Sequence, residues 1–262
     1  MNSIKTIALN TFKESIRNRI IANIFVFAFF LFILGVLIGN WSLGEQIKVI
    51  TDFGLTALHV VALLIVVFVG VSLVSREIDS RTIYNTLSKN IHRWQFLLGK
   101  FSGLALTLII NILLLGLILM FILFAYTGQL EFSLFLPVLL IYIEMLVVIS
   151  ISIFFSTFNN ATVSVIYTIF IYISGYLLQS VSEYLDQLVL KGNEYGLITT
   201  YYVTKVLSWL LPHLSLYNIT EEYVHNVAIM PSYYLYLVGY TILYITFILM
   251  MSILIFNRKD LK

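Results

Sequence analysis

The chain has 262 residues, 60% of them hydrophobic, and a mean hydropathy of +0.99. Its 15 basic and 13 acidic residues make up 11% of the sequence, against about 25% in a soluble domain, and cannot cover a soluble surface of this size. A soluble enzyme, a disordered tail and a fibrous protein are thereby excluded, the net charge of +2 is too small for nucleic-acid binding, and the lack of cysteine excludes disulfides, thiolate metal sites and a cysteine nucleophile. What remains is an all-α integral membrane protein that crosses the bilayer several times.

The first 19 residues carry Ile4, Ile7, Leu9, Phe12 and Ile16, mostly three or four apart, flanked by Lys5, Lys13, Arg17 and Arg19. This pattern predicts an amphipathic elbow helix lying at the membrane interface before the first span; the alternative is an extension of that span beyond the membrane. Six stretches are long and apolar enough to cross roughly 30 Å of hydrocarbon. They are Ile20–Trp41, Phe53–Val74, Phe101–Gly128, Phe135–Phe158, Ala161–Val181 and Tyr233–Phe256. The first starts too late for a cleaved signal peptide and is read as retained. Asn159 and Asn160 leave almost no loop between the fourth and fifth spans, so those two helices are antiparallel neighbours.

Segments 1–19, 75–100 and 257–262 hold 12 of the 15 basic residues. The other side receives Lys48, Lys191 and Lys205, with eight acids: Glu45, Asp52, Glu131, Glu183, Asp186, Glu194, Glu221 and Glu222. Excess Lys and Arg mark the cytoplasmic side, so six spans with both termini in the cytoplasm satisfy the split. A seventh span at Leu197–Leu211 would break it. That stretch holds Lys205 and ends at Pro212, and is expected to lie in or dip into the outer face; an outer loop with two amphipathic helices fits equally. Segment 182–232 is thus extracytoplasmic, with Tyr233, Tyr234 and Tyr236 as an aromatic belt at its end.

The cytoplasmic connection 75–100 runs to 26 residues, where compact helix connections take roughly 2–8. Asp79 or Ser80 can cap a short helix, Ile83, Tyr84 and Leu87 share one of its faces, and Lys89 and Asn90 end it. Trp94, Phe96 and Leu97 return the chain to the membrane with Lys100 at headgroup level. Such a helix suits docking to a soluble partner; the alternative is a plain connector.

No phosphate-cradling G-x-x-x-x-G-K-[ST] loop is present: Gly99-Lys100 is followed by Phe101, and Trp94 stands at the first glycine position. The chain therefore cannot hydrolyse ATP by that route. His59, His92, His213 and His225 are too scattered for a metal site. His59, within the second span, reads as a helix–helix hydrogen bond before it reads as a ligand. No Ser/His/Asp set is recognisable, the serines being dispersed through sequence expected to face lipid. Asn218-Ile219-Thr220 fits a glycosylation sequon by a pattern common by chance. Glu144 is the one acid deep within a span. A carboxylate there must face the interior, be protonated or pair with a polar neighbour, and Asn111 in the third span is the candidate partner. Glu144 and Asn111 are candidate pathway or gate residues, with a buried structural hydrogen bond as the alternative; Ser174, Gln179 and Ser182 carry the same two readings.

Residues Val74–Gly103, VSREIDSRTIYNTLSKNIHRWQFLLGKFSG, closely resemble the signature region of the type-2 permease subunits of ATP-binding-cassette transporters. The acid-x-acid pattern before a Thr is matched by Glu77, Asp79 and Thr82, and the run that follows by Arg93, Leu98, Gly99 and Lys100. Asp79 replaces the usual Glu and Arg81 a common Gly. The opening IALNTFKESIRNRI is similar to the family's elbow helix. LLPHLSLYNI at Leu210–Ile219 resembles the segment before the last span in permeases of copper-enzyme maturation, including the nitrous-oxide-reductase accessory permease. The resemblance implies a type V exporter-like fold: six transmembrane helices, an elbow helix, a cytosolic coupling helix around Thr82–Lys89, and re-entrant outer helices between spans five and six. It implies a homodimer of permeases served by two copies of an ATPase subunit, which binds the ATP and Mg; no cofactor is expected in this chain. It assigns ATPase coupling to Glu77, Asp79, Arg81, Thr82, Ile83, Tyr84, Leu87 and Arg93, and allows a periplasmic or extracellular accessory protein as a further partner. The chain would then serve export, or pass mechanical work to an extracytoplasmic protein. A lipid-modifying membrane enzyme would need clustered His, Asp or Glu near one interface, which the sequence does not show, and an ATPase-independent scaffold would be argued against by a coding neighbour with a P-loop.

Overall fold

The computed structural model describes residues 2–42, 44–72, 75, 91–190, 195–225, 227 and 230–258. Every element among them is helical: α1 (Asn2–Ile16), α2 (Arg19–Trp41), α3 (Gln46–Leu64), α4 (Arg93–Thr127), α5 (Phe135–Ser156), α6 (Ala161–Leu190), α7 (Tyr195–Leu210), α8 (Thr220–Val224) and α9 (Pro231–Arg258). A π-helical stretch, Ile65–Gly70, prolongs α3, and short 3-10 turns precede α5 and follow α7. Six helices are long and apolar enough to cross a membrane: α2, α3 with its π-helical extension, α4, α5 with its preceding turn, α6 and α9.

The elbow is a separate helix. Arg17 and Asn18 close α1 with backbone hydrogen bonds to Lys13 and Ser15, and the Asn18 side chain then accepts from the Ile20 amide at 3.0 Å, capping α2. The face of α1 that packs is not the whole predicted stripe: Ile7, Ala8, Thr11 and Ser15 are buried, whereas Leu9 and Ile16 are exposed. The reason is the partner. α1 lies across the first turns of α4, where Gly99 and Gly103 replace side chains with space. A Cβ on Gly103 would stand 2.6 Å from the Ala8 carbonyl oxygen, and one on Gly99 would stand 2.7 Å from Ile7 Cβ. Two glycines four apart let helix backbones approach closely, as in transmembrane helix pairs.

α4 begins eight residues before the predicted span start, at Arg93 instead of Phe101. Gln95 reaches back to the His92 amide at 3.2 Å, and Phe96 and Leu97 bury inward. Lys100 is also buried, 2% exposed, with Nζ 3.8 Å from Glu14 on α1. α1 covers this lysine and supplies its counter-charge.

α3 and α5 form the centre of the bundle; α5 packs against α3, α4, α6 and α9. The serines correct another expectation. Ser150, Ser152, Ser156, Ser164 and Ser252 are buried inside the bundle, each returning its hydroxyl to a carbonyl of its own helix or of the residue capping it, at 2.7–2.9 Å. Small hydroxyls satisfied in this way suit helix packing where no water reaches. Outward, α2 and α9 present Phe29, Phe30, Leu235 and Leu243 as exposed apolar surface for lipid. Chain ends and loops alternate, so Arg93, Lys100 and Arg258 lie at one basic end, and Glu45, Glu131 and Glu222 at an acidic end.

Replacing Gly103 by Leu is expected to push α1 off α4 and to cost about 1–3 kcal/mol, the range for overpacking. Thermal unfolding in detergent and protease cleavage within α1 measure this, and an unchanged variant would contradict the close approach.

Candidate functional site

Glu144 and His59 come together in the middle of the bundle. Glu144 on α5 is completely buried. The Nε2 atom of His59 on α3 lies 3.2 Å from one carboxylate oxygen and 3.1 Å from the other. Tyr176 on α6 donates its hydroxyl to Glu144 Oε1 at 2.8 Å, and the Tyr172 hydroxyl lies 2.9 Å from His59 Nε2. The imidazole meets both tyrosine rings edge-on at 6.2 Å between centroids, and the two tyrosine rings are tilted against each other at 5.2 Å. A carboxylate, an imidazole and two phenols from three helices thus form one polar cluster.

Local sequence explains the placement. Tyr172 and Tyr176 are four apart, so both point from one face of α6. His59 and Glu144 occupy inward positions of helices that carry apolar residues around them, Leu58 and Ala62 on α3, Met145 and Val148 on α5. The interior position expected for Glu144 is therefore found, and the helix–helix hydrogen bond of His59 with it. The expected Asn111 partnership is not. Asn111 is buried on α4, but its amide donates to the Thr107 carbonyl of its own helix. Tyr172 and Tyr176 were missed by sequence reading; their i, i+4 spacing on an otherwise apolar span was the available signal. Among the described residues no three His, Asp or Glu side chains converge as a metal site.

Gly175, between the two tyrosines, receives the segment that follows α7. A Cβ there would stand 2.8 Å from the Pro212 carbonyl oxygen and 3.3 Å from Leu214. The 3-10 turn Leu214–Tyr217 then packs against α6 and α5 and is hydrogen-bonded to α9. The Tyr240 hydroxyl accepts from the His213 amide at 3.0 Å, Tyr217 and Thr241 share a 2.7 Å hydrogen bond, and Tyr233 donates to the Leu216 carbonyl at 2.6 Å. Burial holds the His213 imidazole below its ordinary basicity. At the same acidic end a cleft of about 880 Å³ is lined by Glu45, Lys48, Glu131, Ser133 and Glu222 among others.

At the basic end, Arg93 is the one predicted coupling residue among those described. Its guanidinium donates to the Phe256 carbonyl and, at 3.3 Å, to that of Asn257, and lies 5.4 Å from the Phe256 ring centre. It thus caps the final carbonyls of α9, which lack helical partners. Glu77, Asp79, Arg81, Thr82, Ile83, Tyr84 and Leu87 lie outside the described residues. The chain enters that segment from Ser75, fully buried, and leaves it at Ile91.

Tyr176→Phe removes a donor to a buried carboxylate, a loss of about 1.5–3 kcal/mol for a hydrogen bond to a charged group. Tyr172→Phe is expected to cost less, because Glu144 keeps both its donors. Thermal unfolding of the two variants ranks them; the reverse order would contradict the cluster as drawn.

The family described as ABC-2 family transporter protein matches residues 5–261. Among proteins of curated function, none matches the sequence. A six-helix bundle and a family match over almost the whole length agree: the chain belongs to the ABC-2 transporter family and is a multi-pass transmembrane subunit of an ATP-binding-cassette transporter, partnered by an ATPase subunit and not itself the ATPase.

Proposed function

We propose that this subunit works as a homodimer, with two ATPase copies that bind ATP and Mg, and drives export across the cell membrane. Both termini and segment 75–100 face the cytoplasm in this reading, supported by the 12 of 15 basic residues that share that side. Residues Thr82–Lys89 form the coupling helix, docked through Ile83, Tyr84 and Leu87. Glu77, Asp79 and Arg81 anchor it by charge-assisted hydrogen bonds. Closure of the ATPases displaces that helix, and the bundle follows as a near-rigid body.

The observation that carries the reading is the anchoring of both stalks of the segment. Ser75 is buried at one stalk; at the other, Arg93 grips the end of α9 and Gly99 and Gly103 seat α1. A push on residues 76–90 therefore reaches α3, α4, α9 and the elbow together. Glu144 is the gate residue of this scheme and Asn111, on neighbouring α4, a pathway residue.

In a second reading the same stroke works on an extracytoplasmic protein, as in copper-enzyme maturation. Its support is the Leu214–Tyr217 wedge, which ties the outer segment to α6 by packing and to α9 by hydrogen bonds.

Charge reversal at Glu77 or Arg81 is expected to abolish co-purification with the partner ATPase, or to abolish coupled ATP hydrolysis, while membrane insertion is retained. Intact coupling in both variants would reject their role. Arg93→Ala is expected to keep ATPase binding and lose coupling, measured as stimulated hydrolysis in the assembled complex; stimulation equal to the unaltered complex would reject Arg93 as a transmitting residue.

A further inference from the structure

We propose that the His59–Glu144 pair binds a single exchangeable proton, and that this proton latches α6, with the outer wedge seated on it, onto α3 and α5. The inference deepens the gate reading of Glu144 and is tested on the permease alone, so its failure leaves ATPase coupling untouched.

The geometry supplies the count. One nitrogen, His59 Nε2, faces both oxygens of Glu144 and the Tyr172 hydroxyl. Glu144 Oε2, fully buried, accepts no hydrogen bond of its own from any described residue. With one proton beyond neutral imidazole and carboxylate, the pair is either imidazolium with carboxylate or imidazole with carboxylic acid, and its charge is zero. Loss of that proton to solvent leaves a lone carboxylate, charge minus one; gain of a second leaves a lone imidazolium, charge plus one. Both are costly where no water can solvate them.

Among the described residues, few other groups near the pair can titrate. α2 and α4 carry no titratable side chain from Ile20 to Trp41 or from Phe101 to Ala125. The remaining titratable groups of the packed elements at this depth are Tyr142 on α5, Tyr172 and Tyr176 on α6, Tyr217 in the wedge, Tyr240 and Tyr244 on α9, and His213, whose ring lies 6.1 Å from that of Tyr240 and whose basicity burial lowers. Phenols ionise only near pH 10.

The latch has a mechanical consequence. α6 is held to the centre by Tyr176 on Glu144 and Tyr172 on His59, and Gly175 between them carries Pro212 and Leu214. An uncompensated carboxylate draws water and loosens that seat. The folded chain then holds more protons than the unfolded one above neutrality, so stability falls as pH rises; the sign reverses only below the ordinary carboxylate range, where the unfolded chain takes up a second proton.

Thermal unfolding of the purified full chain is measured across pH for the natural sequence, Glu144→Gln and His59→Gln. The natural chain is expected to show a bell-shaped profile. Glu144→Gln loses the alkaline fall and His59→Gln loses the acid fall. The chain has no cysteine, so Ser215→Cys, in the wedge, gives a background-free thiol. Its labelling rate by a membrane-impermeant maleimide, divided by the rate in a Glu144→Gln background, should rise severalfold from neutral to alkaline pH. Infrared spectra of the natural chain give a readout independent of any cluster variant: a buried carboxyl band that changes with pH. Superimposable profiles for all three chains, an equal labelling ratio at every pH, or a pH-invariant carboxyl spectrum would each overturn the proposal.

Discussion

Glu144 sits where the bilayer supplies no hydrogen-bond donors, and the centre of the bundle is organised by what it finds instead. An ionised carboxylate at the middle of a span costs a few kcal/mol by insertion scales. It is tolerated when donors are fixed around it, and two neighbouring helices contribute them. α3 brings His59, α6 brings Tyr176, and Tyr172 steadies the imidazole from the same face as Tyr176. Lipid tails are as apolar as leucine, so the hydrophobic effect does not drive helices together in a membrane, and close packing and polar contacts must. Here the directional polar contacts fix the rotation of α3, α5 and α6 about their axes.

The two ends of the bundle are built on different physics. At the basic end, closeness is obtained by removing side chains: Gly99 and Gly103 admit the elbow helix, which in turn neutralises buried Lys100 through Glu14. Arg93 finishes α9 by taking up its last carbonyls. At the acidic end, tyrosine hydroxyls make the joints. Tyr217, Tyr233 and Tyr240 bind the wedge to α9, and Tyr223 reaches Ser133 at 3.1 Å beside the cleft. Stiff attachment at one end and a hydroxyl-laced wedge at the other suit a body pushed from the first and opening at the second. The π-helical stretch Ile65–Gly70, close to the stalk at Ser75, adds a wider turn of backbone where α3 meets α5, with Ser152 Oγ 3.3 Å from the Cβ position of Gly70.

Much of this was legible in residues alone because hydrophobic length is a direct physical requirement of the membrane. The six spans, the separate elbow and the inward position of Glu144 follow from it. What was not legible depends on helix rotation and on partners distant in sequence. Nothing in the text of α4 says that Lys100 is covered, since the cover is Glu14 on another helix. Asn111 matched Glu144 by polarity, yet its amide is spent on Thr107 one turn away. The serines read as lipid-facing because their inward direction is invisible without the neighbouring helices. Leu9 and Ile16 read as part of a packing stripe, but glycines on α4 draw the opposite, smaller-residue face of α1 inward.

The central claim is that His59 and Glu144 are energetically one unit. A double-mutant cycle on the purified chain, with His59→Leu, Glu144→Leu and the pair combined, measures that directly as a coupling free energy of unfolding. The account predicts a coupling of about 1–3 kcal/mol, with the double variant less damaged than the sum of the singles. Additive losses, with coupling near zero, would contradict it.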